Sequence, residues 1–514
     1  MEAWVLFFLA ISLVLSLKLL LPKLINPSSR HNKPTLPPGP PAIPFVLKTT
    51  LQRTSLFQLE LVLRQLHSKY GPIVALRIPF RPTVFISDRD LAHEALVHAG
   101  AALADRPPIV RGPRAIVSNH ADITSSSYGP LWRSLRRNLA AEMLHPSRVR
   151  LFSRGREWAL RILLDKLRLQ SENGDRAVGV MESFQFAMFS LLVLMCFGEK
   201  LDEKALEEVQ SLQYYFLRLF VEFNPFAVLP AITKHVFRRR WDEIAAALRR
   251  QEEIFIPLIR SRQQRKLGRR QREGESAGYS YVDSLLDVEL EGGRRLREDE
   301  IASLCHEFLS GGTDTTSTAL QWIMAELVRN REAQGRLREE VEAAAAGKER
   351  VEEEDLQRMP YLKAVIAEAL RRHPPGHFVL PHRAAKDVVL GGGRYLIPKG
   401  AEVHINVAEL GWDGRTWEES MSFRPERFLE GGDGSGVDIT GSREIKMMPF
   451  GAGRRMCPGF GLALLHLEYF VANLVREFEW KAAEGEEVDL SERLEFTTVM
   501  KYPLQARICS RRDR

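Results

Sequence analysis

Cysteine is scarce in this chain: four residues among 514, scattered and without close pairing. That excludes a disulfide framework and fits a reducing compartment. No charge of one sign dominates, since 73 basic residues face 66 acidic ones and the net charge is +7. Basic residues interleaved with aromatics and known reader motifs are both missing, which excludes nucleic acid as a partner. A mild basic excess suits a membrane surface or an acidic protein instead. No repeat array or disordered composition is present. No dinucleotide-binding glycine fingerprint follows a strand, which excludes a nicotinamide site of that kind in the chain itself. What remains is ordinary globular composition, 45% hydrophobic and 27% charged.

The N-terminus is the first positive feature. Ala3 to Leu17 carry no charge, and with Lys18 as the only interruption the apolar run reaches Leu21. A span needs about 20 residues. A cleavable secretory signal is the rival, but Glu2 stands where a basic region would precede it, and no small-x-small site follows. Lys18, Lys23, Arg30 and Lys33 lie on the C-terminal side, which keeps the body cytoplasmic. Residues 1–22 therefore read as a signal-anchor helix and 23–41 as a basic, proline-rich hinge. Pro34 to Pro41 is expected to be a stiff, extended spacer.

The rest, 42–514, reads as one large, mainly helical domain with small β elements. Ile73–Ile78 and Thr83–Ser87 predict a hairpin. From Leu91 to about Val351 the signals are mostly helical. Arg262 to Gly278 is charged and glycine-bearing and reads as an exposed loop. Leu296 to Asn330 predicts a long helix, with Glu298, Asp299 and Glu300 suited to its first turn. Another helix is predicted from Pro360 to His373, and one over Phe460 to Val475. Short strands are expected around Val388–Leu390, Arg394–Ile397 and Glu402–Asn406, and a loop over Glu430 to Gly441.

Four constellations could carry chemistry. Phe450-Gly451-Ala452-Gly453-Arg454-Arg455-Met456-Cys457-Pro458-Gly459 presents a sulfur beside two arginines, just before a helix. Pro458 suits a first helical position, and a helix N-terminus lowers a thiol pKa. The loop suits an ionised sulfur ligand to a metal. Gly311-Gly312-Thr313-Asp314-Thr315-Thr316 is a weak centre for a core helix, each glycine costing about 1 kcal/mol relative to alanine. Close helix packing explains that, and so does an opening beside a ligand with a hydroxyl and a carboxylate aimed into it. Glu368 and Arg371 share a helix face, a spacing also found at Glu291/Arg294 and Glu326/Arg329, where a surface ion pair is the plain explanation. Trp132 and Arg136 share a face at i, i+4. Isolated arginines such as Arg383 are ordinarily solvated.

The cysteine loop, Phe-x-x-Gly-x-Arg-x-Cys-x-Gly, resembles the haem-binding loop of the cytochrome P450 family in its plant microsomal (A-type) form. The other constellations resemble further motifs of that family, in the same order. The resemblance implies a mainly helical P450 fold with small sheets. It implies haem b with Cys457 as axial thiolate and Phe450 opening the loop. Trp132, Arg136, Arg383 and Arg455 would hold the haem propionates. Thr315 would hydrogen-bond dioxygen, and Asp314 would relay protons. Glu368, Arg371 and Arg427, the last in Phe423-Arg424-Pro425-Glu426-Arg427-Phe428, would form a structural charge triad. Gly311 departs from the commoner alanine, and Arg372 stands at a usually apolar position.

The implied function is a monooxygenase that inserts one atom of O₂ into an apolar small molecule: a plant secondary metabolite, a lipid or a xenobiotic. Electrons would come from NADPH through NADPH–cytochrome P450 reductase, with cytochrome b5 as an optional partner. The implied location is the endoplasmic reticulum membrane, single-pass, with the catalytic domain cytoplasmic. Arg133, Arg137 and Arg454 are candidates for reductase docking, and Tyr214 to Pro230 either dips into the membrane or packs in the core. Two alternatives remain on the same scaffold: a haem-thiolate isomerase or dehydratase acting on hydroperoxides, and a haem sensor without turnover. Thr315 and the intact cysteine loop disfavour the first. The acid–threonine pair disfavours the second.

Overall fold

Thirty-two residues, Glu298–Arg329, form one unbroken helix through the centre of the larger of two compact units. In the computed structural model the residues described are 34–41, 56–78, 81–107, 122–172, 176–221, 235–270, 278–483 and 487–511. The predicted anchor lies outside them, as does 222–230 of the Tyr214 to Pro230 segment.

The smaller unit comprises 1–112, 224–243 and 380–405. Its sheet runs in the order Ile73–Ile78, Arg81–Ile86, Glu402–Ile405, His382–Arg383. The first pair is antiparallel, with Ile73 opposite Ile86. Arg81–Ile86 and Glu402–Ile405 run parallel. Val388–Leu390 and Tyr395–Ile397 pair as a separate hairpin. The proline segment is no free spacer where it is described. Leu396 N–H donates to Thr35 O at 2.8 Å and Ala75 N–H to Pro38 O at 2.9 Å. A Cβ on Gly39 would stand 2.0 Å from Ala75 O, so only glycine lets the strap lie this close.

The larger unit comprises 113–223, 244–379 and 406–514. Helices that build it are α1 (Pro130–Glu142), α2 (Ser153–Ser171), α3 (Val180–Phe197), α4 (Glu203–Val221), α5 (Arg238–Arg270, of which 244–270 belong here), α6 (Tyr281–Asp287), α7 (Glu298–Arg329), α8 (Arg331–Ala345), α9 (Pro360–Arg372) and α10 (Phe460–Glu477). α7 packs on α3, which packs on α2, while α8, α9 and α10 close the other side. α3 is long and apolar enough to cross a membrane by composition. It is a core helix instead, with Phe184, Met188, Leu191, Met195 and Phe197 at 2% exposure or less. Burying each such side chain is worth about 1.5–3 kcal/mol.

Two expectations fail here. Residues 262–270, read as loop, continue α5. Charge hid a buried face: Arg262 is fully buried and donates through Nε to Asp283 at 3.0 Å. Asp283 in turn completes a capping box with Ser280 that starts α6. The C-terminal strands were also missed. Gln505–Ser510 lies between Phe478–Ala482 and Ala177–Gly179, and the last of these interrupts the stretch read as helical.

Candidate active site

The sulfur loop is held by its own backbone. Gly451 and Gly453 adopt φ of +68° and +69°, a conformation that other residues take only with strain. They fold the chain back so that Cys457 N–H donates to Phe450 O at 2.8 Å. The Phe450 ring meets Phe460 edge-on at 6.3 Å. α10 begins only at Phe460, so Pro458 is not its first residue and Cys457 stands a full turn's worth of chain before it. The expected acidification of the thiol is correspondingly weak, because the dipole falls off within the first turn. Burial pushes the Cys457 thiol up, opposed by the Gly459 amide and the Arg136 charge. A coordinated metal would supply the ionisation, since it deprotonates a thiol outright.

Three of the expected propionate residues converge on this loop. Arg136, on α1, donates through Nη2 to Met456 O at 2.6 Å. Arg455 donates through Nη1 to Ile123 O at 2.9 Å and through Nη2 to Ser126 O. Trp132 Nε1 donates to the same Ile123 carbonyl at 3.1 Å, and the Arg455 guanidinium lies 4.7 Å from the Trp132 ring. Burial lowers the Arg136 pKa, and no carboxylate among the described residues forms a salt bridge with it. The Cys457 sulfur and the Glu307 carboxyl act on it from nearby, and a partly desolvated cation with no ion pair suits a cofactor that brings a thiolate-seeking metal and carboxylates together. Arg383 belongs to the smaller unit, on the strand His382–Arg383, with Asp105 at 3.8 Å.

On α7 the two glycines divide the two explanations. A Cβ on Gly312 would stand 2.8 Å from Leu192 Cδ1 of α3, so this glycine serves close packing. Nothing lies within 4 Å of the same position on Gly311, which is exposed on an otherwise core helix and so borders an open space. Gly311→Ala is expected to raise stability by about 1 kcal/mol through helix propensity, while Gly312→Val lowers it by about 1–3 kcal/mol through overpacking. Thermal melts of the two variants would show opposite signs.

Thr315, one turn beyond Gly311, donates to Gly311 O at 2.8 Å and keeps partial exposure. Asp314 is buried and accepts from Gln185 Nε2 at 3.1 Å. Burial pushes its carboxyl up to about 6 despite that bond. A raised carboxyl opposes folding once ionised, so the penalty is present above about pH 6 and absent below about pH 4. Asp314→Asn is therefore expected to stabilise the protein by about 2–3 kcal/mol at pH 8 and by little at pH 4. Urea midpoints at both pH values check this.

Glu368, in contrast, is surrounded. Arg371 donates through Nε and Nη2 at 2.7 and 2.8 Å, Arg427 through Nε at 3.2 Å, and the Arg424 amide at 2.9 Å. All three charged side chains are at most 3% exposed. The other two pairs of that spacing do not bond as pairs: Arg294 goes to Glu300, and Arg329 to Glu487. Nor is Glu326 a surface acid. It is buried against His373 Nε2 at 2.8 Å, with the His373 ring stacked on Trp322 at 4.0 Å. Arg372 is also buried, its pKa lowered by that burial.

The model of the family "Cytochrome P450" matches residues 37–509. The chain belongs to the cytochrome P450 family. Among curated proteins, this P450 is 45% identical to cytochrome P450 89A9 of Arabidopsis thaliana, over 100% of both chains. It is 34% identical to cytochrome P450 76M5 of Oryza sativa subsp. japonica, over 98% of each. A zebra fish cytochrome P450 solved with progesterone superposes with a TM-score of 0.73 over 88% of this chain and 99% of its own, at 22% identity, which shows the shared fold. The mainly helical P450 fold, the haem-iron cofactor with thiolate ligation and the monooxygenase class are thereby borne out for this plant P450. The class brings a redox partner and a small-molecule substrate with it.

Proposed function

We propose that this P450 is a membrane-anchored monooxygenase of an apolar small molecule, a plant secondary metabolite, lipid or xenobiotic, reduced by NADPH through NADPH–cytochrome P450 reductase. Its place would be the endoplasmic reticulum membrane, with residues 1–22 as the anchor and cytochrome b5 as an optional partner. The reading is carried by the convergence of the Cys457 loop with Trp132, Arg136 and Arg455 in one unit. Cys457 would ligate the iron, Phe450 would line its site, and Trp132, Arg136 and Arg455 would hold the two carboxylates. Haem so bound supplies the oxygen activation by which one atom of O₂ enters the substrate and the other leaves as water. The Asp314 carboxyl, near 6, can give and retake a proton at neutral pH. Thr315 Oγ1 sits beside the open space at Gly311 and can turn its hydroxyl toward a ligand there.

Docking of the reductase is assigned to Arg133, Arg137 and Arg454, all exposed. Arg454 donates to Tyr128 Oη at 2.7 Å, and Arg133 lies 5.8 Å from the same ring. The test is NADPH-dependent O₂ consumption in the reconstituted membrane system. Arg133→Glu with Arg137→Glu is expected to slow reduction by about tenfold at low salt and to flatten its salt dependence. Reduction at the original rate would exclude this face. Hydroperoxide turnover without reductase would favour the isomerase alternative.

A further inference from the structure

Glu307 lies on α7 two turns before Thr315 and belongs to none of the motifs. Its Oε2 accepts the Ile123 N–H at 2.9 Å and its Oε1 the Thr124 N–H at 2.5 Å. One carboxylate across two successive amides fixes the direction of the carbonyls that follow. These are the carbonyls the cofactor residues use: Ile123 O takes Trp132 and Arg455, and Ser126 O takes Arg455 again. Asp122 pins the rest of the turn by accepting both the amide and the hydroxyl of Ser125.

We propose that Glu307 is a positioning residue for the haem: as a carboxylate it clamps the 122–126 turn in the setting that aims Trp132 and Arg455, and as a neutral acid it releases one amide. The inference rests on the assignment of Trp132 and Arg455 to the haem carboxylates. A protonated carboxyl keeps one acceptor oxygen, and its O–H confronts an N–H, so one of the two bonds is lost. Burial, and then the Asp122 charge, push the Glu307 carboxyl up to about 7, against the pull of the Thr124 hydroxyl and of the Ile123 and Thr124 amides. The charged and titratable groups facing it are Asp122 from the turn, Arg136 from α1 and Tyr281 from α6. The grip is therefore present above pH 7 and is lost as the pH falls through it.

The test is the rate of haem loss from the ferric holoprotein to excess apomyoglobin, followed between about pH 6 and pH 8. In the unsubstituted protein the rate should rise several-fold on acidification, with a midpoint near neutrality. Glu307→Gln should lose haem about five- to tenfold faster at the alkaline end, the worth of one buried hydrogen bond, and show no pH dependence. Asp122→Asn removes the neighbouring charge but leaves the clamp, so it should move the midpoint to lower pH and serves if Glu307→Gln does not fold. An original rate and slope in Glu307→Gln, or an unmoved midpoint in Asp122→Asn, would overturn the proposal. The carbon monoxide spectrum is read first on each preparation. Absence of the thiolate band in the unsubstituted protein defeats the haem assignment itself, whereas a normal band with unchanged haem loss defeats only the clamp.

Discussion

In a Cys457→Ser variant, the reduced protein should lose the red-shifted carbon monoxide band that marks a thiolate-ligated haem. A thiolate donates electron density through iron to the ligand opposite, and a serine hydroxyl does not. NADPH-supported turnover should fall to background in the same preparation. The control lies in the other three cysteines. Cys196 and Cys305 are fully buried, and burial, followed by its contacts with Cys305, holds the Cys196 thiol well above its usual range. Serine at either position buries a hydroxyl and should lower stability by about 1–3 kcal/mol while leaving the band in place. Cys509 lies on the C-terminal strand and should tolerate serine with little change. A thiolate band surviving in Cys457→Ser would remove the sulfur from the site.

That experiment discriminates because the cysteine loop is local. Ten consecutive residues carry the glycines, the arginines and the sulfur, so composition and spacing already expose it. The α7 centre is legible for the same reason, although its two glycines look alike in sequence. Only the neighbourhood separates Gly312, against Leu192, from Gly311, against nothing. Distance along the chain is what hides the rest. Glu307 finds its amides 184 and 183 residues away, and no spacing rule links a lone acid to a turn so remote. Gln185, which holds Asp314, is 129 residues from it. The strand Gln505–Ser510 becomes recognisable only once its partners stand on both sides. Arg262 misled for a different reason: a buried arginine with its own aspartate has the same letter as a solvated one.

The charge triad is where sequence and energetics meet most sharply, and its disruption should be the costliest change to stability. Glu368→Gln leaves Arg371 and Arg427 buried with one anion removed between them. Breaking a buried ion pair from one side costs about 3–5 kcal/mol. A domain is stable by only about 5–15 kcal/mol, so little holoprotein should accumulate. Apolar replacement of all three groups should not restore it. Arg371 also donates to Ser420 O at 2.7 Å and to Gly411 O, and Arg427 donates to Glu419 O at 2.9 Å, with Asp433 at the same distance. Removing the Arg371 guanidinium would leave the carbonyl of buried Gly411 without its donor, at about 1–3 kcal/mol. Arg371→Lys should fail for the same reason, since an ammonium cannot present the planar fork that reaches the Glu368 carboxylate and two carbonyls together. Urea midpoints and the haem content of purified protein measure both effects. A midpoint unchanged in Glu368→Gln would mean that the two arginines are satisfied without their carboxylate.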